Sequence, residues 1–173
     1  LGVAGNVDIP IILYNIQGRT GVNIAPQTMA DLGREADNIV AVKEASGDIS
    51  QVADLMYLSN GELDVYSGND DQIVPLMSLG GKGVISVLSN VLPKETHDIV
   101  ALYLEGKVKE SAELQLKLLP LIHELFSEVN PIPVKKAMNL MGYEVGPLRL
   151  PLTEMEEAHA AVLANEMKKI GII

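Results

Sequence analysis

The stretch that decides the fold is Asn38-Ile39-Val40-Ala41-Val42-Lys43, which is followed by Glu44-Ala45-Ser46-Gly47-Asp48. A short apolar run rich in β-branched side chains is typical of a strand buried in a parallel sheet. Its last residue, Lys43, then points toward whatever lies at the carboxyl end of that strand. A poorly hydrated amine there becomes a nucleophile toward carbonyl carbon, because its neutral form is favoured. The alternative, and for an isolated lysine the commoner case, is a side chain that reaches water.

The sequence on both sides of Lys43 predicts four units of strand, polar loop and helix. The predicted strands cover residues 9–14, 38–43, 63–67 and 83–88, and the predicted helices begin near Pro26, Asp48, Asp71 and Pro93. Asp48 is the predicted N-cap of its helix, and the helix from Pro93 is predicted to end near Leu104. Such alternation indicates an α/β fold with a parallel sheet. From Lys107 onward only helices are predicted, over 108–128, after Pro133 and over 153–169. We therefore expect a βα part, residues 1–106, and a helical carboxyl-terminal extension, residues 107–173, packed on the same domain.

Two architectures accommodate four βα units: a small doubly wound sheet, or half of a (β/α)₈ TIM barrel. A dinucleotide-binding sheet would carry Gly-x-Gly-x-x-Gly where a strand turns into a helix. The glycine cluster of this chain, Gly80-Gly81-Lys82-Gly83, precedes a strand instead. It predicts a tight turn that needs positive φ.

The composition excludes several classes of function. The formal net charge is −10 and no basic cluster is present, so nucleic acid is not an expected partner. No apolar stretch is long enough to span a membrane. The absence of cysteine and the scattering of His97, His123 and His159 argue against a metal site and fit a cytoplasmic protein. The chain starts at Leu1 rather than at methionine, from which we expect a part of a longer protein.

Function in either architecture collects at the carboxyl ends of the strands. Tyr14 and Lys43 each end a predicted strand, and Arg19 follows between two glycines, a flexible setting from which a guanidinium can bind a carboxylate. These residue types suit a reaction in which a lysine forms a Schiff base with a 2-oxo acid and a tyrosine moves protons. A core tyrosine and a surface arginine paired with an acid are the alternatives.

Five motifs then follow one another in a recognisable order. They are Tyr14-Asn15-Ile16-Gln17-Gly18-Arg19-Thr20-Gly21, Val42-Lys43-Glu44-Ala45-Ser46-Gly47-Asp48, Tyr66-Ser67-Gly68-Asn69-Asp70, Gly80-Gly81-Lys82-Gly83-Val84-Ile85-Ser86-Val87 and Asn130-Pro131-Ile132-Pro133-Val134-Lys135. With these motifs the chain resembles the carboxyl-terminal part of the dihydrodipicolinate synthase family, from about Val7 to its end. The resemblance implies a (β/α)₈ barrel with extra helices that condenses pyruvate with aspartate semialdehyde in lysine biosynthesis.

The resemblance also implies roles for individual residues. Lys43 would form the Schiff base with pyruvate, and Tyr14 would relay protons. Binding of the substrates would involve Arg19, Thr20, Gly68, Asn69, Ile85 and Asn130. The family usually has proline where Gln17 stands and frequently has aspartate where Asn69 stands. No cofactor is implied, because the lysine itself carries the substrate.

The same resemblance implies that an amino-terminal half of the barrel is missing, with the rest of the proton relay, and that the complete enzyme is a homotetramer. The chain alone would then be inactive. Two other functions stay open: a related pyruvate-dependent aldolase, such as N-acetylneuraminate lyase or a 2-keto-3-deoxy sugar acid aldolase, and a non-catalytic pyruvate-binding half-barrel. A third hypothesis assigns subunit assembly to an apolar surface of the helical part, formed by Leu114, Leu116, Leu118, Leu119, Leu121, Ile122, Leu125 and Phe126.

Overall fold

The sheet of the protein is parallel and has four strands. The computed structural model describes all 173 residues and divides them into two compact units, Leu1–Ile85 and Ser86–Ile173. The sheet lies in the first unit and consists of β1 (Ile11–Asn15), β2 (Ile39–Glu44), β3 (Asp64–Ser67) and β4 (Gly83–Val84). The strands are ordered β1-β2-β3-β4, so that β1 and β4 form the edges. The prediction of an α/β fold with a parallel sheet is confirmed.

Helices connect the strands of the first unit. They are α1 (Gln17–Thr20), α2 (Pro26–Glu35), α3 (Ile49–Ser59) and α4 (Ile73–Ser78). Helix α2 begins at Pro26, as predicted, because the fixed φ of proline suits a first helical position. Single 3₁₀ turns cover Ala4–Asn6 and Asp70–Gln72. Side chains of α2, α3 and α4 form the core with those of β2, of β3 and of the residue before β3: Met29, Ile39, Val42, Val52, Leu55, Leu63, Val65 and Leu76.

Asp48 caps α3, as the sequence predicted. Its carboxylate accepts hydrogen bonds from the backbone N–H groups of Ser50, at 2.9 Å, and Gln51, at 3.3 Å. Asp48→Ala removes both bonds, and we expect it to lower the free energy of unfolding by about 1 kcal/mol. Urea unfolding checks this value against Asp54→Ala, which removes an exposed carboxylate from the middle of the same helix. Equal losses in the two variants would show that the cap is unimportant.

The two faces of the sheet differ because side chains alternate along each strand. Leu13, Val42 and Val65 lie side by side in register and belong to the helix-covered core. One residue further along, Tyr14, Lys43 and Tyr66 are in register with one another. These three side chains therefore lie on the opposite face, where Tyr14 is 46% exposed. This second row is referred to below as the open face.

The fourth strand is shorter than predicted. Only Gly83–Val84 pairs with β3, and the end of the predicted strand, at Leu88, already belongs to a 3₁₀ turn of the second unit, Leu88–Asn90. The prediction of a strand up to Leu88 was wrong, because a continuous apolar run has no periodicity by which a strand could be distinguished from another buried segment. The predicted tight turn before β4 is confirmed, since Gly80 has a positive φ of 101°.

The second unit is helical. Its helices are α5 (Pro93–Leu104), α6 (Val108–Glu124), α7 (Ile132–Leu140) and α8 (Glu157–Lys169). Helix α5 packs against α6, and α8 packs against both α6 and α7. No helix of the chain combines the length and the apolar character needed to cross a membrane. Along the chain, the boundary between the two compact units lies between residues 85 and 86. The predicted division between residues 106 and 107 stays a prediction.

The predicted apolar surface of the helical part separates into a buried and an exposed portion. Leu118, Leu121, Ile122 and Leu125 are buried in the second unit. Leu116 and Phe126, by contrast, are 61% and 42% exposed. Core packing therefore accounts for the four buried side chains. Subunit assembly through the exposed side chains stays a prediction.

The side chain of Glu128, in the segment before α7, contacts residues at the start of α8. Its Oε1 atom accepts a hydrogen bond from the Glu156 backbone N–H at 3.0 Å and lies 2.8 Å from His159 Nδ1. The hydrogen bond with Glu128 raises the pKa of His159, and the charges of Glu128, Glu156 and Glu124 act in the same direction, whereas desolvation opposes them. Protonated His159 thus stabilises the folded chain.

The stability of the chain is therefore expected to depend on pH through His159. A pKa that is raised by folding gives a contribution that is complete below the ordinary value of about 6.5 and is lost as the pH rises through the folded-state pKa. Thermal unfolding at pH 6 and pH 8 checks this expectation. The difference between the two midpoints should shrink in His159→Gln and not in His123→Gln, which replaces an exposed histidine of the same unit. An unchanged difference in His159→Gln would contradict the assignment.

Candidate active site

Lys43 and Tyr14 form the centre of the candidate site. Both lie near the carboxyl ends of their strands, in register on the open face, and Lys43 Nζ is 4.2 Å from the centroid of the Tyr14 ring. An ammonium group at this distance is attracted by the face of the ring. Lys43 is half-buried rather than fully buried, because the open face leaves its outer side accessible. The structure thus brings together the two residues for which catalytic roles were predicted.

Tyr66 lies on the other side of Lys43 and was missed at the level of sequence. It is in register with Lys43 on β3 and is half-buried. Lys43 therefore has an aromatic neighbour on each adjacent strand. The signal was present in the sequence, since Tyr66 stands one residue before the carboxyl end of its strand, as Tyr14 and Lys43 do.

The loop after β3 approaches Lys43 closely at Gly68. The Gly68 backbone N–H donates to the Glu44 carbonyl at 2.7 Å. A Cβ atom at this position would be 3.2 Å from Lys43 Cε and 2.6 Å from Ala45 Cβ, so only glycine fits. Next to it, the Asn69 N–H donates to Ser67 Oγ at 3.2 Å. On β3's other side, the Ile85 N–H donates to the Ser67 carbonyl at 2.9 Å.

Arg19 is on a helical turn and not on the flexible segment predicted from its flanking glycines. Helix α1 spans Gln17–Thr20 and ends at Gly21, whose φ is 71°. The Thr20 hydroxyl stabilises this turn, since Oγ1 lies 3.1 Å from the Ile16 carbonyl and accepts the Val22 N–H at 3.2 Å. Arg19 is exposed, just beyond the carboxyl end of β1. Binding of a carboxylate by Arg19 and a substrate contact of Thr20 stay predictions.

Asn130 is the one predicted site residue that belongs to the second unit. It is half-buried and stands immediately before Pro131, at the start of α7. The structure thus groups Lys43, Tyr14, Gly68, Asn69 and Ile85 near one edge of the sheet, with Arg19 following β1. The role of Asn130 at the substrate stays a prediction.

Comparison with known proteins identifies the family of the chain. A profile of the Dihydrodipicolinate synthetase family matches residues 2–170. The chain belongs to this family. The motifs from Tyr14 to Lys135 had indicated the same family, and that prediction is confirmed.

Relatives in the dihydrodipicolinate synthetase family are similar over nearly all of this chain. The 4-hydroxy-tetrahydrodipicolinate synthase of Lachnoclostridium phytofermentans is 64% identical over 99% of the chain, and that of Clostridium tetani is 54% identical over 97%. The crystal structure of dihydrodipicolinate synthase from Thermotoga maritima superimposes with a TM-score of 0.96 at 42% identity and covers 99% of the chain.

These relatives are longer than the present chain. The matched region makes up 58% of the Lachnoclostridium phytofermentans protein, 57% of the Clostridium tetani protein and 59% of the Thermotoga maritima chain. The chain therefore spans somewhat less than three-fifths of the length of the relatives that it matches.

Proposed function

We propose that this chain carries the imine-forming part of an enzyme that condenses pyruvate with aspartate semialdehyde. The contact between Lys43 Nζ and the Tyr14 ring, on the open face of a parallel sheet, carries this proposal. The shared name of the relatives supports it. It also supports aspartate semialdehyde as the second substrate, rather than the sugar acids used by related aldolases.

The first step is the formation of a Schiff base. The deprotonated Nζ of Lys43 attacks the keto carbon of pyruvate, and the resulting carbinolamine loses water as the C=N bond forms. Tyr14, whose ring lies against Nζ, moves the protons that convert the carbinolamine oxygen into water. Deprotonation of the imine then gives a nucleophilic enamine, which attacks the aldehyde carbon of the second substrate.

The remaining site residues bind the substrates. Gly68 lets the backbone of the loop after β3 come close to Lys43 Cε, and the backbone around Asn69 and Ile85 lines the same edge of the sheet. Arg19 binds the carboxylate of aspartate semialdehyde, and Thr20 holds the turn from which it does so.

The four strands correspond to half of a (β/α)₈ barrel, with the helices of residues 107–173 as its extension. Four further βα units would be needed to enclose the open face, since barrels of this type have eight strands. The exposed positions Ile12 and Tyr14 on β1 agree with a face that is enclosed in the complete barrel. The closed barrel would supply the remaining proton relay and would assemble as a homotetramer.

The experiment that tests this function is reductive trapping of the imine. The chain is incubated with pyruvate and cyanoborohydride, and its mass is expected to rise by that of pyruvate less one oxygen atom. Peptide mapping should place the adduct on the peptide that contains Lys43. Lactate, which has a hydroxyl group in place of the keto group and cannot form an imine, serves as the control. An absent adduct on a folded chain, or an adduct spread evenly over the surface lysines, would contradict the proposal.

A further inference from the structure

A buried carboxylate lies on the side of β2 opposite to Lys43. Glu44 is 3% exposed, and its oxygens accept hydrogen bonds from the Ser46 backbone N–H at 2.6 Å, from Asn15 Nδ2 at 3.1 and 3.2 Å and from Gln51 Nε2 at 3.3 Å. None of these donors is charged. A buried carboxylate is costly unless hydrogen bonds replace its hydration, and the surrounding groups provide them from three directions.

The hydrogen bonds continue beyond Glu44. Asn15 Nδ2 also donates to Asn23 Oδ1 at 2.9 Å. Asn23 and Gln51 exchange two bonds, one from Asn23 Nδ2 to Gln51 Oε1 at 2.7 Å and one from Gln51 Nε2 to Asn23 Oδ1 at 3.2 Å. We call Asn15, Asn23, Glu44 and Gln51 the amide–carboxylate network. It joins the ends of β1 and β2, the segment after α1, and the first turn of α3.

Backbone groups determine the direction of every hydrogen bond in this network. The Ile24 N–H donates to Asn15 Oδ1 at 3.0 Å, so that the Nδ2 group of Asn15 must face Glu44. The Ser46 N–H donates to Glu44 from the other side. Position 44 therefore receives only donors, and a carboxylate, which has acceptors alone, satisfies all of them. Glutamine would place its own N–H₂ group against one of these donors.

Residues of the amide–carboxylate network lie next to residues of the candidate active site along the chain. Asn15 and Glu44 directly follow Tyr14 and Lys43, and they point to the opposite face of the sheet because side chains alternate. Asn15 and Asn23 enclose the segment that carries Arg19. A hydrogen bond between the side chains of positions 15 and 44 therefore holds β1 and β2 together one residue beyond the Tyr14–Lys43 contact.

We propose that Glu44 is a positioning residue, which holds the Tyr14–Lys43 pair and the Arg19 segment in place through the amide–carboxylate network. This inference rests on the proposed function, because it assigns Glu44 a task in imine formation. Glu44 does not touch the substrate. It acts through Asn15 and Ser46, and its effect requires a carboxylate rather than any side chain of the same shape.

The first test is Glu44→Gln, which keeps the shape of the side chain. It turns one acceptor into a donor that faces Asn15 or Gln51. The rate of imine trapping with pyruvate is expected to fall about tenfold or more, since a buried donor is left without an acceptor. Glu35→Gln, which removes the same charge from an exposed position of α2, is the matched control and should trap at the rate of the unchanged chain.

A second variant separates positioning from a mere loss of stability. Asn15→Asp combined with Glu44→Gln moves the carboxylate from β2 to β1. The new carboxylate accepts the Ile24 N–H, the new amide at position 44 accepts the Ser46 N–H, and the amides of Asn23 and Gln51 turn over to match. The shorter side-chain bond between positions 15 and 44 and the bonds of Asn23 and Gln51 then run in the reverse direction, whereas the two backbone N–H groups donate as before. Trapping in the double variant should return to within about threefold of the unchanged chain, since no group is left without a partner.

The native-state rate of tryptic cleavage after Arg19 gives a readout that does not depend on the chemistry. It is expected to rise in Glu44→Gln and to return in the double variant. The inference would be overturned if Glu44→Gln trapped pyruvate, or was cleaved after Arg19, at the rate of the unchanged chain. It would also be overturned if the double variant trapped pyruvate as slowly as Glu44→Gln. If the unchanged chain forms no adduct, the proposed function fails, and cleavage at Arg19 still decides whether Glu44 positions the segment.

Discussion

Alanine in place of Lys43 is expected to remove the pyruvate adduct altogether. No other amine lies on the open face within the register row of Tyr14, so a Schiff base has no second place to form at the site. The loss should not reflect unfolding. The partly exposed contact of Lys43 with the Tyr14 ring is lost, and a contact of this kind stabilises by about 0.5–1 kcal/mol.

The control for this variant is Lys82→Ala. Lys82 is exposed and pairs weakly with Asp64, 3.7 Å away, immediately before β4. Its removal should leave the adduct unchanged in amount and position. Intact mass after reduction measures the adduct, and urea unfolding measures stability in parallel. An adduct that persists in Lys43→Ala would move the chemistry to another lysine.

Gly68→Ala is expected to have the next largest effect. Its new methyl group would lie 2.6 Å from Ala45 Cβ, far inside the contact distance of about 3.5–4.0 Å between carbon atoms. Ala45 Cβ is fixed to the backbone and cannot rotate away. The loop after β3 must therefore shift away from β2, which lengthens the 2.7 Å bond from Gly68 N–H to the Glu44 carbonyl and presses on Lys43 Cε.

We expect Gly68→Ala to lower the free energy of unfolding by about 1–3 kcal/mol, the usual cost of overpacking. The rate of pyruvate trapping should fall by about tenfold or more, which corresponds to a rise of at least about 1.4 kcal/mol in the activation free energy. Gly5→Ala is the control, because a Cβ atom there meets nothing within 4 Å. A Gly68→Ala chain that traps pyruvate as readily as Gly5→Ala would show that this close approach does not matter.

Local signals in the sequence predicted much of this structure. Helix α5 has the predicted bounds, Pro93–Leu104, and Asp48 caps α3 as expected. Proline at a first helical position and an acceptor at the N-cap act over a few residues, and their effect can be derived from the sequence alone. The Tyr14–Lys43 pair was predicted for a similar reason, because parallel strands bring their carboxyl ends to one edge.

The remaining features depend on contacts between distant parts of the chain. The bond between Asn15 and Glu44 joins residues 29 positions apart, and no local pattern marks an amide and a carboxylate as partners. The length of β4 depends on its pairing with β3, and this pairing ends at Val84. The helical turn that carries Arg19 is only four residues long and has no periodicity to reveal it. Tertiary pairing decides each of these features.

The alternation of side chains along β2 has a consequence for how this segment can vary. Lys43 and Glu44 are neighbours in the chain, yet one faces the open side and the other the amide–carboxylate network. A substitution can therefore replace the side chain on one face and leave the side chain on the other face in place. A deletion or insertion of a single residue in Ile39–Glu44 would instead turn every following side chain to the opposite face and exchange Lys43 with Glu44. Variants of this strand should tolerate replacement far better than any change in length.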